Sequence, residues 1–120
     1  MSPSRSFEDV AVWQKAHAWV LAVYRASARF PQHELFGLTA QLRRAAVSVP
    51  ANFAEGFKRQ SRPDKVRFYN MAQGSLEECR YYLRSAQDLG YGDVSTLQES
   101  LSEISQMLES YARKVRDASV

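Results

Sequence analysis

The sequence holds one cysteine, two histidines, five glycines and four prolines among its 120 residues. A lone Cys79 has no internal partner, so no disulfide framework is expected, and a reducing cytoplasm is the natural compartment. No stretch approaches the roughly 18 consecutive apolar residues of a membrane span. Residues 1–10 also lack the apolar core of a secretion signal, so neither export nor a membrane is expected. Alternation of apolar and polar residues is almost missing, which argues against a sheet-based fold. Few glycines and prolines leave room for long uninterrupted elements. What is present, 45% apolar and 24% charged residues, suits an ordinary globular chain long enough for one core without staples. No repeat, linker or low-complexity segment divides it, so a single domain over 1–120 is expected, with short disordered ends at about 1–6 and 117–120.

Catalytic apparatus is equally scarce. A di-iron bundle needs paired Glu-x-x-His motifs, and neither His17 nor His33 lies three residues after a glutamate. Glu77 and Glu78 fall on the outward half of their helix. His17 reads as a packed or half-exposed surface histidine, His33 as a turn residue and Cys79 as an inert core thiol. Gly74-Ser75 lacks the rest of a phosphate loop and is expected to permit close helix packing instead. No metal, cofactor or catalytic residue is expected, and the chain does not read as an enzyme.

Apolar spacing supports four helices. The last is the clearest: Val94, Leu97, Leu101, Ile104, Leu108, Tyr111 and Val115 step by alternating threes and fours, the seam of a bundle helix. Asp93 suits its N-cap, and Arg113, Lys114 and Arg116 suit the negative end of its dipole. The first helix is expected over about Glu8–Arg29, ended by Phe30-Pro31, because the residue before proline is pushed out of the α region. The third is expected over about Pro63–Leu89, with Ser61 and Asp64 as a loose capping box and Gly90 as the residue that stops it. Trp13 reads as core and Trp19 as a subunit contact.

The second helix, about Phe36–Lys58, carries two apolar stripes. Leu38, Leu42, Ala45, Val49, Phe53 and Phe57 form one, which faces the core. Ala40, Val47, Ala51 and Ala54 lie roughly 150° round at about 100° per residue, where a partner would cover them. Pro50 removes one backbone hydrogen bond mid-helix and is expected to bend the axis. Short connections force neighbouring helices antiparallel. The expected fold is therefore all-α, an antiparallel up-down-up-down four-helix bundle with a kinked second helix.

Net charge is +3, but seven bases against two acids lie between Gln41 and Arg67: Arg43, Arg44, Lys58, Arg59, Arg62, Lys65 and Arg67. Arginine dominates, and its planar fork suits phosphate. Such a cluster predicts phosphate contact without base readout, hence salt-dependent and weakly sequence-specific binding of RNA or DNA.

Three segments resemble a known family: FEDVAVWQKA at 7–16, FPQHELFGLTAQLRRAAVSVPANFAEGFKR at 30–59 and FYNMAQGSLEECRYYL at 68–83. They are similar to the four-helix-bundle family of 23S rRNA intervening-sequence proteins, which includes the accessory variability determinant of diversity-generating retroelements. The resemblance covers roughly 7–91 and implies a ring-like homopentamer without catalytic residues. In the retroelement branch it implies a positively charged assembly that binds nucleic acid and associates with a reverse transcriptase. The leading expectation is thus a homo-oligomeric, non-enzymatic nucleic-acid-binding protein. Its phosphate contacts would be the seven bases, and its subunit interface Ala40, Val47, Ala51, Ala54 and Trp19. The alternative is an interaction scaffold that docks an acidic protein such as a reverse transcriptase on the same basic face.

Overall fold

A computed structural model describes residues 5–118 of the chain. Four helices form: α1 (Ala11–Ser27), α2 (Leu38–Lys58), α3 (Arg62–Asp88) and α4 (Ser95–Asp117). Single 3-10 turns at Phe7–Asp9 and Gln32–Glu34 precede α1 and α2. Among the described residues there is no strand, and no helix is long and apolar enough to cross a membrane.

Each helix packs against two neighbours, in the cyclic order α1, α2, α3, α4, and the backbones of the diagonal pairs stay apart, with Phe53 of α2 and Tyr111 of α4 meeting across the core. Cross-contacts fix the directions. Lys15 pairs with Glu103 while Trp19, further along α1, reaches Leu97, earlier on α4. Gln73 bonds Ser105 and Arg80 bonds Ser102 in the same reversed sense. The result is an antiparallel bundle 51 × 24 × 19 Å in extent. Its core joins the expected stripes: Val23, Leu42, Val49, Phe53, Leu76, Leu83, Leu101, Ile104 and Leu108 are buried.

Several helix ends differ from expectation for local reasons. The chain before α1 forms a separate 3-10 turn, held by a capping box between Ser6 and Asp9, so α1 starts at Ala11 rather than Glu8. Ser6 is thus ordered by its cap and Asp117 closes α4; the rest of the expected disordered ends, 1–4 and 119–120, lies outside the described residues. Phe36 stays outside α2, which begins at Leu38, whose amide donates to Glu34 Oε1 at 3.1 Å. Glu34 also accepts from the Tyr91 hydroxyl at 2.6 Å, tying two connections together. These two bonds, that of Tyr91 first, hold the Glu34 carboxyl below its usual pKa. At the far end of α3, Gly90 adopts φ 78°, and the amides of Gly90 and Tyr91 donate to the carbonyls of Gln87 and Ala86. That is the double bond pattern of a Schellman stop, as the glycine suggested. Asp93 accepts from the Ser95 amide, although the backbone enters α4 one residue later, at Val94.

Despite Pro50, α2 is one unbroken α-helix. The ring is buried, and nearby side chains bond to the backbone: Ser48 donates to the Arg44 carbonyl and Asn52 to the Ser48 carbonyl, each at 2.9 Å.

Two glycines contrast sharply. A Cβ on Gly56 would lie 2.8 Å from the Tyr69 ring, 2.9 Å from Phe68 Cβ and 3.1 Å from the Lys65 carbonyl oxygen. Here α2 and α3 touch backbone to backbone, just before a connection of only three residues, 59–61. A Cβ on Gly74 would meet nothing within 4 Å, so the expectation that this glycine serves close packing is corrected: it is exposed on the outer side of α3. Gly56→Ala is therefore expected to destabilise the fold by about 1–3 kcal/mol through overpacking. Gly74→Ala should stabilise it by about 0.5–1 kcal/mol by removing backbone freedom. Urea unfolding of the two variants checks both signs.

Candidate nucleic-acid interface

The seven bases gathered by the sequence do not form one surface. Arg43 and Arg44 precede Lys58 by about 14 residues on a continuous helix, or roughly 21 Å along its axis. Arg43 serves the fold. Its Nε donates to Ser27 Oγ at 2.8 Å, its guanidinium reaches the Tyr24 carbonyl at 3.2 Å, and it sits 4.7 Å from the Tyr24 ring centroid. This clamps the last turn of α1 to α2. Arg44 faces outward beside Gln41.

The other five converge where α2 turns into α3. Lys65 Nζ donates to the Phe57 carbonyl at 2.6 Å, capping the end of α2, and burial lowers its pKa. Arg59 and Arg67 lie against the same ring, 4.5 and 4.6 Å from the Phe68 centroid. Arg67 bonds Asp64 at 3.0 Å, while Arg59 bonds Glu55 at 2.9 Å. Lys58 is exposed. Arg62 is half-buried and makes no ion pair among the described residues.

The fold adds bases that the sequence reading had assigned only to a helix dipole. Because α4 runs antiparallel to α3, Arg113, Lys114 and Arg116 arrive at this same end of the bundle. Arg62 and Arg116 line one cavity of about 580 Å³ with Pro63 and Val66. It adjoins a second of about 310 Å³, which shares Val66 and Arg116 and adds Arg113, Asn70 and Glu109 among its walls. A lone α4 sequence shows the bases but not their neighbours, so only the antiparallel pairing could reveal the shared trough.

The expected subunit-contact residues divide too. Ala40, Ala51 and Val47 are exposed, Val47 at 42%, and Ala54 is half-buried. Trp19 corrects the expectation: it is only 3% exposed, and its indole N–H donates to the Leu97 carbonyl at 3.0 Å, making it a core residue between α1 and α4. Trp13, expected in the core, is half-buried and stacks on exposed His17 at 5.1 Å. Apolar exposure missed in the sequence lies at Leu21 (44%), Tyr24 (41%) and Phe36 (92%), and on the α3 side at Met71, Tyr81 and Leu89. Leu21 could have been found, since it falls opposite the Val12, Ala16, Val20 and Val23 face.

Cys79 is buried, and burial pushes its thiol up to about 12, with Glu78 adding to the shift. Among the described residues no His, Cys, Asp and Glu group gathers that could hold a metal ion.

A model of the 23S rRNA-intervening sequence protein family matches residues 8–110. The chain belongs to that family. Its fold is similar to the crystal structure of a protein of unknown function from the S23 ribosomal protein family of Bacteroides thetaiotaomicron. The TM-score is 0.77 at 22% identity, covering 86% of this chain and 99% of that one. At this identity the likeness speaks for the fold alone. No curated protein matches. Within this family member, Arg43 and Arg44 are adjacent in sequence yet differ in role. Arg43→Ala is expected to lower unfolding stability by about 1–3 kcal/mol through lost charged hydrogen bonds. Arg44→Ala should stay within about 0.5 kcal/mol of the parent. Chemical denaturation separates them.

Proposed function

We propose that this family member is a non-enzymatic, homo-oligomeric protein that binds nucleic acid by phosphate contacts at the cationic end of its bundle. One observation carries the reading: Lys58 and Arg62 from the α2–α3 turn lie at the same end as Arg113, Lys114 and Arg116 from α4, with Arg62 and Arg116 lining one trough. Part of this charge has a structural cause, because α2 and α4 both end here and their C-termini attract cations. Arg62 does not. It stands in the first turn of α3, where the dipole opposes a positive charge, and it lacks an ion pair among the described residues. We read this cation, set against that gradient and without an ion pair among the described residues, as a contact for an external anion.

Assembly is supported by Leu21, Tyr24, Phe36 and Val47, exposed apolar residues of α1, α2 and the connection between them. The resemblance of the sequence implies five subunits, and repetition of a weak phosphate site strengthens binding by avidity.

Gel-shift titration with a structured RNA and a DNA duplex, at low and moderate salt, tests binding. Lys58→Glu with Arg62→Glu should reduce affinity by about tenfold or more at low salt, and parent binding should fall steeply as salt rises. Unchanged binding by the charge-reversed protein would refute the reading. Assembly is checked by light scattering: the parent should exceed the 13.7 kDa chain mass severalfold, whereas Val47→Glu with Ala51→Glu should yield monomers.

A further inference from the structure

The cationic end could grip any polyanion at its rim, but the trough between α3 and α4 is more selective. Its mouth carries Arg62 and Arg116, and Arg113 stands one turn further in. Pro63 and Val66 on α3 and Ala112 on α4 give it an apolar lining. Exposed Asn70 offers both a donor and an acceptor. Deeper in, Gln73 and Ser105 exchange hydrogen bonds of 2.8 Å and tie the two helices across the trough. Arg113 and Arg116 each have one acid beside them, Glu109 and Asp117, so Arg62 leaves the mouth with a surplus positive charge.

We propose that this trough takes an unpaired nucleic-acid strand, its phosphates on Arg62 and Arg116 and its bases against the apolar lining and the guanidinium planes. This rests on the nucleic-acid reading above and narrows it to single strands. A double helix is wider than the gap between helices whose axes pack about 8–10 Å apart, so it meets only the rim. The cavities, about 580 and 310 Å³, are of the size that encloses a small ligand or a short stretch of one chain. No aromatic residue lines either cavity. Stacking therefore falls to arginine, whose guanidinium can lie flat on a base. An acidic peptide matches the charge but supplies no flat rings for those planes.

The test uses fluorescence anisotropy with the full chain and an RNA strand of about 12 nucleotides, its blunt duplex, a mononucleotide and poly-glutamate as competitor. The parent should bind the strand about tenfold or more tightly than the duplex. Asn70→Leu removes the trough's neutral donor and acceptor without changing charge or adding a stacking ring; it should weaken strand binding about fivefold and leave duplex binding unchanged. Arg116→Glu should weaken strand binding and lower the salt slope by about 0.7 for the lost phosphate contact. Both substituted positions are exposed, and unchanged thermal melting confirms the fold of each variant. Equal strand and duplex affinity, both indifferent to Asn70→Leu, overturns the trough assignment while the broader cationic-end reading survives. A mononucleotide that binds as tightly as the strand, or poly-glutamate that displaces it as well as RNA does, overturns it too. Binding of neither strand nor duplex defeats both readings at once.

Discussion

The close approach of α2 to α3 at Gly56 governs the basic end of this molecule. With no side chain there, the two backbones meet in the last turn of α2, and a three-residue connection suffices to reverse the chain. The contact sets Phe53 against Tyr69 at 5.1 Å, and Tyr111 of α4 joins the same aromatic group at 5.2 and 5.5 Å. Three helices are thereby locked together at one end. Burial keeps the hydroxyl of Tyr69 far from ionising, with Tyr111 contributing, so the cluster remains uncharged across the ordinary pH range. Phe68, held beside that contact, becomes the platform on which Arg59 and Arg67 lie. A larger residue at position 56 would push α3 away and loosen the whole arrangement.

That geometry sorts the cations by what they already do. Lys65 caps a helix end, Arg43 clamps two helices, and Arg59 and Arg67 divide their contacts between an aromatic face and nearby carboxylates. Exposed ion pairs of this kind contribute little, about 0–1 kcal/mol each, and an incoming phosphate can displace them. Lys65 and Arg43 are different: releasing Lys65 would strip the partly buried Phe57 carbonyl of a donor, and releasing Arg43 would break its partly buried bond to Ser27 Oγ. The binding reading therefore leans on Lys58, Arg62 and the α4 bases rather than on all seven residues that stand close in sequence.

What was legible in the chain was mostly local. The seam from Val94 to Val115, the inner stripe of α2 and the stop at Gly90 depend on periodicity and on one backbone conformation, and each can be read from neighbouring residues. The errors fall where distant partners decide. Trp19 has the bulk of a contact residue, but its polar edge is satisfied by a carbonyl 78 positions away, so it is drawn inward. Gly74 looks like a packing glycine until the fold turns it outward. Arg113, Lys114 and Arg116 were visible as helix-end cations, while their alignment with Arg62 required knowing that α3 and α4 run in opposite directions. Sequence proximity grouped Arg43 with Arg59, and the rise of a helix separates them.

The cyclic order of the helices also decides whether assembly and binding compete. The exposed apolar residues Leu21, Tyr24 and Val47 belong to α1 and α2, Met71 and Tyr81 to α3, and the trough to α3 and α4. Since the α1 backbone stays away from that of α3, and the α2 backbone from that of α4, these pairs form opposite walls of the bundle. In a ring, a sister chain seated on the α1–α2 wall would leave each trough open where its own contacting face is not the α3–α4 wall. It would also relieve the cost of leaving Phe36 in water, at 92% exposure, without consuming any of the free arginines. A two-fold contact through the α3–α4 wall would bury Arg62 and Arg116 against the same arginines of a symmetry mate, an arrangement that low dielectric makes unfavourable. On the proposed reading, the charge at Arg62 and Arg116 would favour a ring whose contacts leave that end of the α3–α4 wall in water.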